Sequence, residues 1–240
     1  MVQLLNNVTR LIAGVTVLDT PIINASIALA QQSLPLNGFN HVMRAWINGQ
    51  ALINHLPAKN RSHIDVEAFS VAAILHDLGW AFNTSFVSDD KWFEVDGAEA
   101  AKSFIRNRTQ AEEWDDHRVQ LVWDAIALHT STDIAKFKQP EVLYTSAGTI
   151  LELIGPELAK EQWGDIITVN QTQWENILDA FPRSQFRDYL FDTLTHFCRE
   201  KPQTTYNNGL YSIGEKYVAG YNATGHQMVD ILESVMAADE

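Results

Sequence analysis

Two stretches of this chain end an apolar helical stripe with a histidine, and that pattern constrains the fold more than any other feature. Val66, Phe69, Ala73 and His76 stand at i, i+3, i+7 and i+10, and Val119, Val122, Ile126 and His129 repeat the spacing. Apolar residues at this period occupy one face of an α-helix, and that face must be buried against another element. Asp65 precedes the first stripe as an N-cap and Gly79 follows it as a stop, while Asp115 or Asp116 can cap the second. An imidazole at the end of a core-facing stripe is costly unless something buried needs it.

The helical period recurs along the chain. Further helices are predicted to begin near Thr20, Asn40, Asp96, Pro140, Thr172, Ser184 and Leu210. Phe181-Pro182 and Lys201-Pro202 punctuate the last third, because proline cannot continue a helix. Strand-like alternation is nearly absent, so the expected class is all-α. Without internal repeats, low-complexity tracts or a Pro/Gly-rich linker, residues 1–240 read as a single domain. The stretch from Gly79 to Phe93 (GWAFNTSFVSDDKWF) reads as a long loop whose aromatic residues either cover a pocket or, as the better reading for most, pin the loop to the core.

Composition narrows the chemistry. One cysteine, Cys198, excludes an internal disulfide and a Cys-rich zinc site, so a metal must be held by His and carboxylates; it also fits a reducing, cytoplasmic setting. A net charge of −13 argues against nucleic acid and against a strongly anionic substrate, whereas a small neutral molecule meets no such penalty. The N-terminal apolar stretch is interrupted by Asn6, Asn7, Arg10 and Asp19, which reads as neither a signal peptide nor a membrane span. Whether the chain forms a homo-oligomer stays open.

Within ILHDLGW, the His76-Asp77 pair sets an imidazole beside a carboxylate at the end of a buried helix. Asp77 can cap or salt-bridge locally, but a buried carboxylate also invites a cation. His41 lies in NHVMRAW, 35 residues before His76 (76 − 41), and His129 ends ALHTS, 52 residues after Asp77 (129 − 77). His55, His63, His117 and His226 read as surface residues, and His196 as a partly buried core residue. The acidic run Glu112, Glu113, Asp115 and Asp116 reads as a solvated helix start. Trp163, Trp174, Phe186 and Phe191 read as packing, and Asp96 as an N-cap, with Glu94 left unassigned.

The order His41, His76-Asp77, His129 resembles the HD-domain superfamily of α-helical metallohydrolases, whose pattern is H…HD…D. The resemblance implies a single-domain helical HD fold, with a motif core over about 40–155 and C-terminal helices over 170–222 packing on it. It further implies His41, His76, Asp77 and His129 as metal ligands. Where the family's last Asp is expected, on the helix PEVLYTSAGTILELIG, Thr149 stands instead, with Glu152 just after it. In this the chain is similar to the fungal cyanamide hydratases, and FEVDGAEAA, WDAIALHTS, AFPR and KPQTTYNN extend the likeness over roughly residues 20–220.

The implied activity is hydration of cyanamide to urea, or of a related small neutral nitrile to its amide. The cofactor is Zn2+, with Fe2+ or Mn2+ as alternatives, and Asp77, Thr149, His129 and Glu152 are the catalytic candidates. The competing expectation is an HD-type metal-dependent phosphohydrolase acting on a nucleotide or small phosphomonoester. A non-catalytic HD-fold sensor is disfavoured by the intact ligand set.

Overall fold

Strand alternation is nearly absent from the sequence, yet the computed structural model, which describes residues 8–110 and 112–236, begins with a β-hairpin. Strands β1 (Thr9–Ile12) and β2 (Val15–Leu18) pair antiparallel with Ile12 opposite Val15. Ala13 and Gly14 between them both have positive φ, as a two-residue hairpin turn demands. The signal was present in Ala-Gly followed by the alternating Val15 and Val17, which are buried, but four residues per strand are too short for it to stand out. Asn54 ties the hairpin down by donating to the Thr16 carbonyl at 2.8 Å.

All remaining regular structure among the described residues is helical, so the chain is all-α in class as expected. It divides into two compact units, one of residues 8–87 and 93–184 and the other of 88–92 and 185–236. The first unit holds α1 (Pro21–Ser33), α2 (Leu36–Asn54), α3 (Ala58–Arg61), α4 (Val66–Leu75), α5 (Phe93–Arg108), α6 (Asp116–Ala127), α7 (Thr132–Ala135), α8 (Pro140–Trp163) and α9 (Gln171–Ala180). Thr20, Asp65 and Asp115 cap α1, α4 and α6, and Pro140 opens α8 at a position where its missing N–H costs nothing. Asp96 is not a cap: α5 starts at Phe93, which places Asp96, buried, inside its first turn. Gly155, at φ 80°, breaks α8 just before Pro156.

α6 buries the one face its period marks. α4 does more. Ala68 through Leu75 are all buried, so this helix is surrounded by protein instead of lying on the core by one stripe. α2 is equally enclosed from Asn40 to Ile53. It packs against α8 at a pair of glycines: a Cβ on Gly148 would meet the Ala45 carbonyl oxygen at 2.5 Å and the Gly49 nitrogen at 2.8 Å. Only glycine lets the two backbones come this close.

The second unit holds α10 (Phe186–Glu200), α11 (Tyr211–Tyr217) and α12 (Met228–Met236). Its buried Lys201 donates from Nζ to the Ser88 and Lys91 carbonyls at 2.9 and 2.7 Å, fastening 88–91 to this unit. Cys198 is a buried free thiol, and His196 beside it is half-buried. His55, His63, His117 and His226 are exposed, as is the acidic run Glu112, Glu113, Asp115 and Asp116. No helix among the described residues is long and apolar enough to cross a membrane.

Candidate metal centre

His76 directly follows α4, and His129 lies just beyond α6. Each turns its Nδ1 back to the carbonyl three residues earlier, at 2.8 Å to Ala73 and 2.7 Å to Ile126. A carbonyl oxygen only accepts, so Nδ1 carries the hydrogen and Nε2 presents a lone pair. The Ile126 carbonyl also accepts from the His129 amide at 3.3 Å, so His129 closes the end of α6 with backbone and ring together. This is the physical reason for a histidine at the end of each stripe: one ring edge terminates the helix and the other is held ready.

His41, in the second turn of α2, faces them. Its Nε2 is 3.4 Å from His76 Nε2 and 3.2 Å from Asp77 Oδ2, and His76 Nε2 lies 3.2 Å from the same oxygen. The ligand atoms of His41, His76 and Asp77 all fall within 4.8 Å of one another, and all three residues are buried. His129 stands at the edge of this group, with Nε2 3.6 Å from Asp77 Oδ1 and its ring 4.7 Å from that of His76.

Asp77 is the telling residue. It is wholly buried, and neither of its oxygens accepts a well-aligned hydrogen bond from the described residues. A carboxylate removed from water without well-aligned donors is costly, and so is the charge that the buried imidazoles beside it must carry to offset that cost. A divalent cation among these atoms resolves both, and imidazole nitrogen with carboxylate oxygen is the donor set such cations take. The group of His41, His76 and Asp77 can hold a metal ion.

The electrostatics point the same way. Burial alone would depress His41, but Glu152 and Asp77 outweigh it and raise the imidazole to about 9, so the cluster favours positive charge at this spot. Burial works to raise Asp77, yet the neighbouring His76 and His41 hold its carboxyl well below the usual range. His129 is pushed down to about 4 by burial and by the charge of His76, and stays neutral.

Glu152 on α8 accepts from His41 Nδ1 at 3.1 Å through Oε2, and from Arg44 Nε at 2.5 Å through Oε1. These partners, with Arg183 nearby, overcome the effect of burial and lower it to about 2. Thr149, three residues earlier on the same helix, is buried and donates to the Thr145 carbonyl at 3.0 Å. Ser146 ties α8 to the other side of the centre by donating to the His129 carbonyl at 2.7 Å.

Sequence reasoning did not find three neighbours of the centre. Trp80 stacks flat on His41, with ring centroids 5.5 Å apart and planes 7° from parallel. Arg44 and Arg183 both reach Glu152. Arg44 could have been suspected from its place one turn after His41, but nothing local links Arg183 to it.

The loop reading holds in its middle only: Leu78–Trp80 form a 3-10 turn, Phe93 belongs to α5, and 81–92 carry no helix or strand. Trp80 and Phe93 are buried against the centre while Trp92 is exposed, so the aromatics divide between pinning and solvent. Gly79 is not a helix stop, since α4 has already ended at Leu75; a Cβ there would collide with the Phe93 carbonyl oxygen.

A cavity of about 1140 Å³ lies elsewhere in the first unit, beside the hairpin and Trp114, and none of the centre's residues lines it. The centre itself is enclosed: His41, His76, Asp77, His129, Thr149 and Glu152 are each 5% exposed or less. No known family model matches the chain, and no curated protein matches it.

Proposed function

We propose that the chain is a metal-dependent hydro-lyase of the HD-domain type that hydrates cyanamide, or a nitrile of similar size, to the corresponding amide. The observation that carries this reading is the enclosed His41–His76–Asp77 group, whose ligand atoms lie within 4.8 Å of one another in a site closed to bulk solvent. The enclosure of these ligands favours a substrate of a few heavy atoms over a nucleotide. A bound divalent ion, Zn2+ by preference with Fe2+ or Mn2+ as alternatives, would lower the pKa of its water to about 7 and supply hydroxide at neutral pH.

In this reading His41, His76 and Asp77 hold the ion and His129 completes the set. Water adds across the nitrile, oxygen to carbon and hydrogen to nitrogen, and the isourea formed from cyanamide tautomerises to urea. Thr149 stands where the resembled family has a further Asp. The exchange removes one negative charge from the site and leaves a hydroxyl to orient the substrate. Asp77, through the oxygen not on the ion, would pass the attacking water's proton to the nitrile nitrogen, since Nδ1 of His129 is held by the Ile126 carbonyl and its Nε2 by the ion.

The phosphohydrolase alternative needs guanidinium or ammonium groups free to clamp a phosphate. Arg44 is buried and donates to Glu152 and to the Phe181 carbonyl, and Arg183 faces Glu152 as well. Both point their charge at Glu152, behind His41. The deciding experiment is to measure bound metal in the purified protein, then urea release from cyanamide beside phosphate release from simple phosphoesters. Urea formation with negligible phosphate is expected; brisk phosphate release without urea would overturn the assignment.

A further inference from the structure

Glu152 meets His41 on the ring edge away from the other ligands. Its Oε2 accepts from His41 Nδ1 at 3.1 Å, while His41 Nε2 faces His76 and Asp77. Its Oε1 accepts from Arg44 Nε at 2.5 Å and lies 3.4 Å from Arg183 Nε. Arg44 also donates from Nη1 to the Phe181 carbonyl at 2.9 Å, and Asn40 donates to the Pro182 carbonyl at 3.0 Å. Residues 181–183 therefore hang from the same part of α2 that carries His41. The Arg183 guanidinium stands 5.1 Å over the Trp174 ring, and Trp174 donates to the Leu151 carbonyl beside Glu152 at 3.1 Å. Every part of this assembly is fixed by a second contact.

Packing alone does not account for it. Burying a carboxylate and a guanidinium is no gain in stability over an apolar pair of the same volume. A carboxylate on the far nitrogen of a metal-binding histidine, by contrast, fixes the ring's tautomer and orientation and makes its near nitrogen a stronger donor. We propose that Glu152 is the positioning residue of the metal centre, holding His41 with Nε2 toward the ion, and that Arg44 holds Glu152 in place while Arg183, at 3.4 Å, only draws off part of its charge. The proposal rests on the metal-centre reading above but not on the identity of the substrate.

The two halves of the network predict opposite signs. Glu152→Gln keeps the shape and loses the charge, so the full-length protein should bind Co2+ and Zn2+ about 10- to 100-fold more weakly, read by competition with a chromophoric chelator. The visible absorption of its Co2+ form should shift as well. Arg183→Met removes one positive charge next to Glu152 from a half-exposed position, and should tighten binding about two- to fivefold.

Circular-dichroism melts of each variant report folding separately. An unchanged affinity and cobalt spectrum in Glu152→Gln would overturn the proposal, as would weaker binding in Arg183→Met, the result expected of a purely structural contact. If Glu152→Gln does not fold, Arg183→Met decides: tighter binding supports the proposal, and unchanged or weaker binding refutes it. Wild-type protein that binds neither ion would remove the metal-centre reading itself, and that result is in hand before any variant is made.

Discussion

A histidine that gives its Nδ1–H to the carbonyl three residues back leaves its other nitrogen only to accept a proton or a cation. His76 and His129 share this arrangement, and both were legible in the sequence because each ends an apolar stripe at the same spacing. Arg183 was not legible, since an arginine after Phe-Pro reads as surface and its partner Glu152 lies on a different helix. Removing His76 takes one of three clustered ligands, so His76→Ala should lose both bound metal and activity; full activity without metal would refute the metal mechanism. Thr149→Val should keep the metal, because the hydroxyl donates to the Thr145 carbonyl of its own helix, yet lower turnover about tenfold or more if it orients substrate. Metal analysis beside a steady-state assay separates these outcomes.

The titrating groups of the centre give the metal-free protein a defined pH response. His41 is raised to about 9 from 6.5, so the stability it contributes is complete below pH 6.5 and is lost as pH rises through 9. His129 is lowered to about 4, so folding is increasingly disfavoured as pH falls from 6.5 toward 4, where the unfolded chain takes a proton that the folded one refuses. Glu152, lowered to about 2 from 4.5, adds a further loss as pH falls below 4.5. Thermal melts in chelator should therefore peak near neutral to weakly acidic pH and fall on both sides, and a melting temperature flat from pH 4 to 9 would contradict these assignments.

Among the elements, helices that carry a cap were easiest to read. Asp65 and Asp115 mark the starts of α4 and α6, and Pro140 that of α8. What escaped were features set by tertiary packing. α2 begins at Leu36, ahead of the expected Asn40, because its cap, Pro35, makes no side-chain bond to announce it. The all-round burial of α4 follows from its neighbours, which its own period does not reveal. The α2–α8 contact at Gly49 and Gly148 belongs to the same class, since two glycines far apart in sequence say nothing alone. Gly148→Ala forces a methyl against the Ala45 carbonyl and should destabilise the fold by about 1–3 kcal/mol. The same helices carry His41 and Glu152, so metal affinity should fall in parallel. Denaturant melts and metal titration of this variant check both effects, and an unaltered melt would show that the helices can separate freely.

At the scale of the molecule, the all-α class was legible from the period of the apolar residues, whereas the division at residues 88–92 and 185 was not, because no change of composition marks it. His41 and His76-Asp77 come from α2 and from the turn after α4, so a bound ion cross-links two buried helices of the first unit. Metal at a hundredfold excess over its Kd should then stabilise the fold by about 2.7 kcal/mol. In a chain of this length that corresponds to roughly 2–4 °C per kcal/mol, so chelation should lower the melting temperature by several degrees; no change would mean that no ion is bound at this centre. The enclosure of the ligands carries a consequence for rate. On the proposed reading, a substrate would reach ligands exposed by 5% or less through a fluctuation of the surrounding fold, which would then gate each turnover. Mutations that stiffen the protein should thus slow it, and throughput should climb steeply with temperature until the approach of unfolding, making thermal tolerance and speed opposing objectives for selection on this chain.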